Sequence, residues 1–427
     1  MVSSAALTFP ARPLRRDAAR SYGDRRAENL LVHADNLLAL AWLRPRFDGL
    51  FRCVYFDPPF NTGRSFAEYD DCLTPESWRA MMHARLDAVR PLVADDGAIF
   101  VEIDDTELAH LQLVMDDVFG RDNRVSTVTI VRSASTGHKA INRGPVNVTD
   151  YLLVYAKDKS RWRCTPQWRT RETYDRAYGT FLVNRSAPPA SWEFLPLRRV
   201  AAHALGVTKP TRAMVERFAI DHAESVVRFA QPRYEAVSRA ARACIDRSKE
   251  RPGEVIHLVR ANADKDRANA SSSSSSRSSS DETVARKDMY LRAGNRVLFL
   301  ADKVRVVSGE RVLVEPLTNV WDDVPFQGIA KEGGVVFARN KKPERLLARV
   351  IAMATEPGDW VLDAFLGSGT TAAVAHKMGR RWVGIERGAH LDELCLPRMR
   401  RVVDGADKAG ITRECDWQGG GGFHVHA

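Results

Sequence analysis

From Asn29 onward the chain alternates two patterns: short unbroken apolar runs, and longer stretches in which apolar positions recur every three or four residues. The first predicts buried strands and the second amphipathic helices. NLLVHADNLLALAWL, beginning at Asn29, reads as a short strand ending near Asp35 and then a helix with Leu37, Leu38 and Leu40 facing inward. RCVYF is a second buried strand, and TPESWRAMMHARLDAVRPLVADDG has helical periodicity with Thr74 placed as a cap and Pro75 in the first turn. AIFVEID is a strand, DTELAHLQLVMDDVFG a helix ending at Gly120, and YLLVYAK a further strand. Towards the C-terminus the rhythm returns. PERLLARVIAMAT predicts a helix after Pro343, and GDWVLDAFLGSGTTAAVAHKMGRRWVGIE predicts a complete strand, glycine turn, helix, strand unit. Uniformly apolar strands separated by amphipathic helices predict an α/β fold, with a mostly parallel sheet covered on both faces.

Between Asp158 and Thr318 this rhythm breaks. The chain becomes Arg-rich with interleaved Trp162, Trp168, Tyr174, Tyr178 and Trp192, followed by a helical stretch from about Thr211 to Ser248. The tract SSSSSSRSSS, Ser271 to Ser280, cannot bury a core and is expected to be a mobile linker. RVLFLADKVRVVSGERVLVEPL predicts strands with a turn at Ser308-Gly309. Residues 158–318 are therefore expected to form an inserted domain between flanking blocks 29–157 and 319–403. The Arg- and Ala-rich residues 1–28 are expected to be a flexible arm and residues 404–427 a C-terminal tail.

Composition narrows the class of protein. With 427 residues and a hydrophobic fraction of 44%, the chain can bury a substantial core. A formal net charge of +10 favours a polyanionic partner such as nucleic acid, because clustered Lys and Arg displace phosphate counterions. The six cysteines are scattered without a CxxC pair, which argues against a zinc site or a disulfide framework and for a reducing compartment. His33, His83, His110 and His138 have no partner spacing for a metal site. With no apolar stretch long enough for a bilayer and no signal-peptide core, a cytoplasmic location is expected.

Two stretches carry candidate chemistry. In CVYFDPPFNTG, Cys53 to Gly63, a core strand stops on a carboxylate, two prolines and a phenyl ring; Asp-Pro alone is an ordinary turn starter. In VLDAFLGSGTT a strand runs into Asp363, then a turn with Gly367 and Gly369, then a helix opening at Thr370 and Thr371. The following strand ends on Glu386, where ribose-binding acids stand in nucleoside-binding βαβ folds. A P-loop would need Lys-Ser/Thr after the glycines, and the third glycine of a dinucleotide fingerprint is missing. A nucleoside with a cationic methionine tail fits better, since Asp363 can meet positive charge and no phosphate needs cradling; a merely structural turn is the plainer alternative. If both strands belong to one sheet, Asp57 and the glycine turn face the same crevice. Rigid prolines would then aim a carbonyl and the Asp57 carboxylate at one exocyclic amine, with two hydrogens for two acceptors, and Phe60 would offer a stacking face for its base.

At these residues the chain resembles the amino-group DNA methyltransferases that use S-adenosyl-L-methionine. DPPF precedes FLGSG by about 300 residues, the order of the family's beta arrangement, with the recognition domain between them. LLVHADNLLAL, VYFDPPFNTG, DDGAIFVEIDDTELAHLQLVMDDVFG, DYLLVYAK, KKPERLLARVIAMAT and PGDWVLDAFLGSGTTAAVAHKMGRRWVGIE are similar to modification subunits of Type III restriction systems and related adenine-specific enzymes. The likeness covers both flanking blocks and only loosely the middle. It implies a Rossmann-like S-adenosyl-L-methionine-dependent methyltransferase fold with an inserted target-recognition domain. By the same resemblance Asp57, Pro58, Pro59 and Phe60 would hold a flipped adenine, and Asp35, Asp363, Phe365, Gly367, Gly369, Thr370 and Glu386 would line the cofactor pocket. Lys342 and Pro343 would flank the cofactor's methionine end.

Asp35 also reads as a helix cap and Pro343 as a simple helix start, while Asp104, Asp105 and Glu107 read as first-turn capping acids before they read as catalytic ones. By the same resemblance, Asp at the first tetrapeptide position implies adenine N6 over cytosine N4, and Phe60 in place of the family's commoner Tyr keeps the stacking face without the hydroxyl. Double-stranded DNA is the implied partner, with a restriction subunit and a second copy of the chain as further ones, and no metal. Arg161, Arg163, Arg169 and Arg171 could bind phosphates or guanine edges; a solvated basic surface is the plainer reading of each. Rivals are methylation of RNA or of a protein glutamine, a nucleic-acid-binding module without activity, and a nicotinamide oxidoreductase that would leave DPPF unexplained.

Overall fold

The computed structural model describes residues 14–63, 72–133, 145–259, 288–307, 309–336 and 341–427. The chain forms two compact units, Met1–Gln167 with Leu317–Ala427, and Trp168–Pro316. The Ser271–Ser280 tract, His138 and Ser308 lie outside the described residues.

The first unit is organised by a ten-stranded sheet. Its order is Arg16–Gly23, Gly422–His426, Leu30–His33, Arg381–Glu386, Trp360–Asp363, Phe51–Phe56, Val93–Ile103, Thr149–Ala156, Arg124–Val131 and Val320–Trp321. From Leu30–His33 to Val93–Ile103 every neighbouring pair is parallel. Thr149–Ala156 runs antiparallel to both its neighbours, and Arg16–Gly23 is antiparallel to Gly422–His426. The expected mostly parallel α/β sheet is thus present, with antiparallel additions towards its edges.

Alternation along the central strands feeds two cores. Leu31, Cys53, Tyr55 and Phe100 pack with helices Glu344–Ala354, Thr370–Lys377 and Leu396–Val403 on one face. Leu30, Val32, Val54, Phe56, Ile99 and Val101 pack with Asn36–Phe47, Pro75–Val89 and Leu108–Met115 on the other. Strands buried on both faces must be apolar at every position, which is why they appear as unbroken runs. Thr74 caps its helix as expected, its Oγ1 accepting from Ser77 N at 3.2 Å. The helix after Asp35 buries Ala39, Leu40, Leu43 and Phe47, whereas Leu38, expected inward, is 45% exposed.

Two connections set the position of the crevice. Phe51–Phe56 passes through Pro75–Val89 to Val93–Ile103 on one side, and Trp360–Asp363 passes through Thr370–Lys377 to Arg381–Glu386 on the other. The adjacent strands Phe51–Phe56 and Trp360–Asp363 therefore send their chains in opposite directions, the topological arrangement that opens a ligand crevice at the carboxyl edge.

Several boundaries differ from the sequence reading. Arg16–Gly23, expected in the flexible arm, is a strand because it pairs with Gly422–His426, itself expected in the C-terminal tail. That pairing spans nearly the whole chain, so neither segment has a local signal. Asp158–Gln167 belongs to the first unit: Trp162 packs into its core and Thr165 N donates to the Met353 carbonyl at 2.9 Å. Arg124–Val131 is a strand that half-polar RVSTVTIV concealed.

The second unit holds an antiparallel six-stranded sheet ordered Val255–Leu258, Met289–Arg292, Asn295–Phe299, Val226–Ala230, Thr180–Leu182 and Phe194–Pro196. A three-stranded sheet joins Val304–Val307, Glu310–Pro316 and Trp168–Thr170. The helical stretch expected over 211–248 is two helices, Arg212–Asp221 and Arg239–Glu250, separated by Val226–Ala230, whose VVRFA is a β-branched and aromatic run. Of the arginines expected to meet nucleic acid, Arg161 pairs with Asp95 at 2.6 Å and Arg169 with Glu315 at 2.7 Å. Among the described residues, no helix is long and apolar enough to cross a membrane.

The terminal strand is a structural part of the first unit. Phe423 is fully buried, its ring centroid 6.0 Å from that of Trp382. Phe423→Ala is expected to lower unfolding stability by about 3–5 kcal/mol in urea titration; a disposable tail would give a change within about 0.5 kcal/mol.

Candidate active site

Five adjacent parallel strands each end on or run into a carboxylate. Asp35 follows Leu30–His33, Glu386 and Asp363 close their strands, Asp57 follows Phe51–Phe56, and Asp104 follows Val93–Ile103. The pairing of Asp363 with Tyr55 sets Asp57 just beyond the end of the neighbouring strand. All five acids line one cavity of about 480 Å³, a volume suited to a small organic ligand. Pro58, Pro59, Phe60, Phe365, Gly367, Thr370 and Lys342 line it too.

Two expected site residues do not line the cavity. Gly369 takes φ +81° at the cap of helix Thr370–Lys377, a conformation that only glycine adopts freely, so its contribution is to the backbone path. Pro343 caps Glu344–Ala354, its carbonyl accepting from Leu346 N at 3.1 Å. The helix-start reading of Pro343 is the one its position matches.

The tetrapeptide turn is braced from outside. Trp78 Nε1–H donates to the Pro59 carbonyl at 2.7 Å, which fixes that side of the turn; among the described residues the Pro58 carbonyl has no such donor. Asn61 sits at φ +60°, a conformation asparagine tolerates, and its Nδ2–H donates to Glu107 Oε1 at 2.7 Å. Glu107, read as a capping acid, instead clamps this turn and also meets His110 Nδ1 at 2.6 Å. Asp104 does act locally, accepting from Thr106 N at 2.9 Å.

Asp57 meets Lys342. Lys342 Nζ lies 3.1 Å from Asp57 Oδ1 and 2.6 Å from Glu102 Oε1, and Tyr55 Oη donates to Glu102 Oε2 at 2.5 Å. Burial pushes the Asp57 carboxyl up to about 7; Lys342 opposes the rise, and Glu102 and Asp363 add to it. Burial also works against the charged ammonium, but Asp57, Glu102 and Asp150 outweigh it and hold Lys342 above its ordinary value.

On the glycine turn, Asp363 is 3% exposed and accepts from Phe365 N at 2.9 Å and Thr371 Oγ1 at 2.5 Å. Burial is the main cause that raises its carboxyl to about 7. Glu386 takes four donors: Gly367 N at 2.9 Å, Arg387 N and Gly388 N at 2.8 Å, and His390 Nε2 at 3.2 Å. Burial would raise its pKa, but His390 and the backbone N–H groups hold it below the ordinary value. Thr370 Oγ1 accepts from buried Arg398 at 2.7 Å, and the same guanidinium meets Glu344 at 2.8 Å. Phe365 stacks edge-on against Phe56, with centroids 5.2 Å apart. Asp35 is both a cap, accepting from Leu37 N at 2.9 Å, and a cavity wall.

Sequence reasoning missed Glu102, Asn36 and Arg398. Glu102 was detectable as an acid inside the buried run AIFVEID. Asn36, donating to the Ala364 carbonyl at 2.9 Å and accepting from Arg85 at 2.7 Å, and Arg398 gave no local signal.

The fold and site define an α/β protein with a cavity of small-ligand size at the carboxyl edge of a parallel sheet. Within that class the chain belongs to the DNA methylase family, whose profile matches residues 51–394. It is 31% identical over 416 residues to the "Probable type III restriction-modification enzyme HindVI Mod subunit" of Haemophilus influenzae, covering 93% of this chain and 53% of the relative. It is 25% identical over 392 residues to the type III enzyme StyLTI Mod subunit of Salmonella typhimurium (82% and 50% covered). The type II methyltransferase M.EcaI of Enterobacter cloacae is 24% identical over 387 residues (87% and 69% covered). The chain thus spans about half the length of the two type III relatives.

Burial of the Asp363 carboxyl makes the stability of the protein depend on pH. Its folded-state pKa of about 7 exceeds the ordinary 3.8, so the stabilising contribution of the protonated form is complete below about pH 4 and lost as pH rises through 7. Asp363→Asn is expected to stabilise the ligand-free protein by on the order of 2 kcal/mol at pH 8 relative to wild type, with no gain at pH 4, in denaturant titrations at the two pH values.

Proposed function

We propose that this chain transfers a methyl group from S-adenosyl-L-methionine to the N6 amino group of adenine in double-stranded DNA, as the modification component of a restriction-modification system. The reading is carried by the meeting of the Asp57-Pro58-Pro59-Phe60 turn and the Asp363-to-Thr371 glycine turn at one cavity. Family membership and the named type III relatives support it, and Asp57 at the first tetrapeptide position favours adenine over cytosine.

The lining fits the methyl donor. Phe365 and Leu366 offer apolar faces, Asp35 and Asp363 suit polar and cationic portions, and Glu386, whose acceptor sites are filled in the ligand-free chain, would exchange one of its four donors for a ribose hydroxyl. When bound, S-adenosyl-L-methionine supplies a methyl group on a positively charged sulfur. The residues of the tetrapeptide handle the acceptor. An adenine amine is a poor nucleophile because its lone pair delocalises into the ring. Accepting its two hydrogens at Asp57 and at the Pro58 carbonyl draws that pair out of conjugation and stabilises developing positive charge. Phe60 supplies the face on which the base stacks, and a paired base reaches this pocket only by rotating out of the duplex. The Arg-rich second unit is the proposed reader of the target sequence.

Expressed in a host without its own methylases, the chain should leave N6-methyladenine and no N4-methylcytosine in DNA digested to nucleosides and resolved by mass spectrometry. N4-methylcytosine alone would overturn the adenine assignment. Asp57→Ala should lower methyl transfer by on the order of 10²-fold or more while S-adenosyl-L-methionine affinity, measured by calorimetry, stays within about threefold. A variant methylating at the wild-type rate would remove Asp57 from the reaction.

A further inference from the structure

Lys342 lines the same cavity as the glycine turn and also reaches the tetrapeptide. Its ammonium bridges Asp57 Oδ1 at 3.1 Å and Glu102 Oε1 at 2.6 Å, and lies 4.9 Å from the centroid of the Phe60 ring. A nitrogen donor held by the Asp57 carboxylate beside the Phe60 ring is also what a target base would present. We propose that Lys342 is a positioning residue for methyl transfer: it favours the carboxylate form of Asp57, stands in for the substrate amine before a base arrives, and withdraws towards Glu102 as the amine takes its place. This rests on the proposed function for the identity of the arriving group; the ion pair itself does not.

The geometry gives the ammonium a second partner to fall back on. Glu102 is fully buried within its strand, is the nearer of the two carboxylates, and has its other oxygen engaged by Tyr55. Loss of the longer contact therefore leaves a buried ion pair intact, where losing both would strand a charge in a low-dielectric site. The backbone behind Lys342 is anchored as well: Pro343 fixes the chain, and the next residue, Glu344, is tied to Arg398 and Lys377 at 2.8 Å each.

The surroundings show why a counter-ion is needed. Asp57 is faced by Glu102 and Tyr55 from the strands around it, by Asp363 from the glycine turn and by Lys342 from the segment before its helix. Asp150, with Arg132 Nε 3.3 Å away, completes the acidic surround of the ammonium. Without Lys342 these carboxyls face one another, and one must take up a proton. Asp57, already pushed up to about 7 by burial, is the one that would rise further, and a protonated Asp57 is a weaker acceptor for an amine.

The test compares Lys342→Met, Lys342→Arg and the double variant Lys342→Met/Glu102→Gln, which removes one charge of each sign so that no extra anion is left buried. The first readout uses full-length protein without DNA or cofactor: 13C-carboxyl NMR titration of Asp-labelled protein, with the Asp57 signal identified by its loss in Asp57→Asn. The Asp57 midpoint should rise by about one pH unit or more in Lys342→Met and stay near wild type in Lys342→Arg. The second is the pH profile of methyl transfer. The acid limb should move up with the NMR midpoint, giving about a tenfold or greater loss at about pH 6.5 that narrows as pH rises, with S-adenosyl-L-methionine affinity within about threefold. An unmoved Asp57 midpoint in both Met variants overturns the proposal, as does a cofactor-affinity loss that accounts for the whole rate loss at every pH. Should the midpoint move while wild-type protein methylates no DNA, the counter-ion assignment stands and the proposed activity falls.

Discussion

The backbone pairing of Phe51–Phe56 with Trp360–Asp363 holds the rest of the site in place. Parallel neighbours in the middle of a sheet must be reached by crossover connections, and here the two connections leave in opposite directions. Whatever follows these two strands must therefore border the same crevice. The tetrapeptide and the glycine turn are brought together by register and strand order, which leaves the long segment between them free to form a separate unit, Trp168–Pro316.

That arrangement crowds five carboxylates around one cavity, and the structure disperses their charge unequally. Asp35, Asp104, Asp363 and Glu386 each accept backbone N–H groups from the turn that immediately follows their strand. Such donors move only with the backbone, so those acids are fixed parts of the wall. Among the described residues Asp57 has no backbone donor; the two prolines after it have no N–H to give. Its partner is the flexible stem of Lys342. The rigid turn thus carries the carboxylate whose partner can be exchanged, a combination suited to receiving and releasing a donor group.

Much of this was readable from the amino-acid order, and for a common reason. Unbroken apolar runs, prolines after Asp57 and glycines before Thr370 constrain the backbone within a few residues of themselves, so their consequences appear locally. Asp57, Phe60, Asp363, Phe365, Gly367 and Glu386 all reach the expected cavity on that basis. Roles that depend on distant contacts left no such trace. Trp78 looked like one more apolar residue of a helix, yet its indole fixes the Pro59 carbonyl. Glu107 resembled a first-turn acid but grips Asn61 across the turn. Arg16–Gly23 looked unstructured because its stabilising neighbour lies at the far end of the chain. Gly369 and Pro343 fit the family pattern through the backbone shapes they impose, so their match said nothing of direct ligand contact.

The division of labour follows from where the polar groups are. Among the described residues, those lining the cavity all fall in the first unit, from Ala34 to Asp150 and from Phe326 to His390. The buried acids and bases that orient the glycine turn, Glu344, Lys377 and Arg398, are there too. Losing one member of such a buried charged group leaves its partners uncompensated, so this unit tolerates little change. The second unit has its own clusters, around Tyr178, Leu197 and Phe218 and around Trp192 and Val255. The charged groups that set the crevice and the apolar clusters of the second unit thus belong to separate cores.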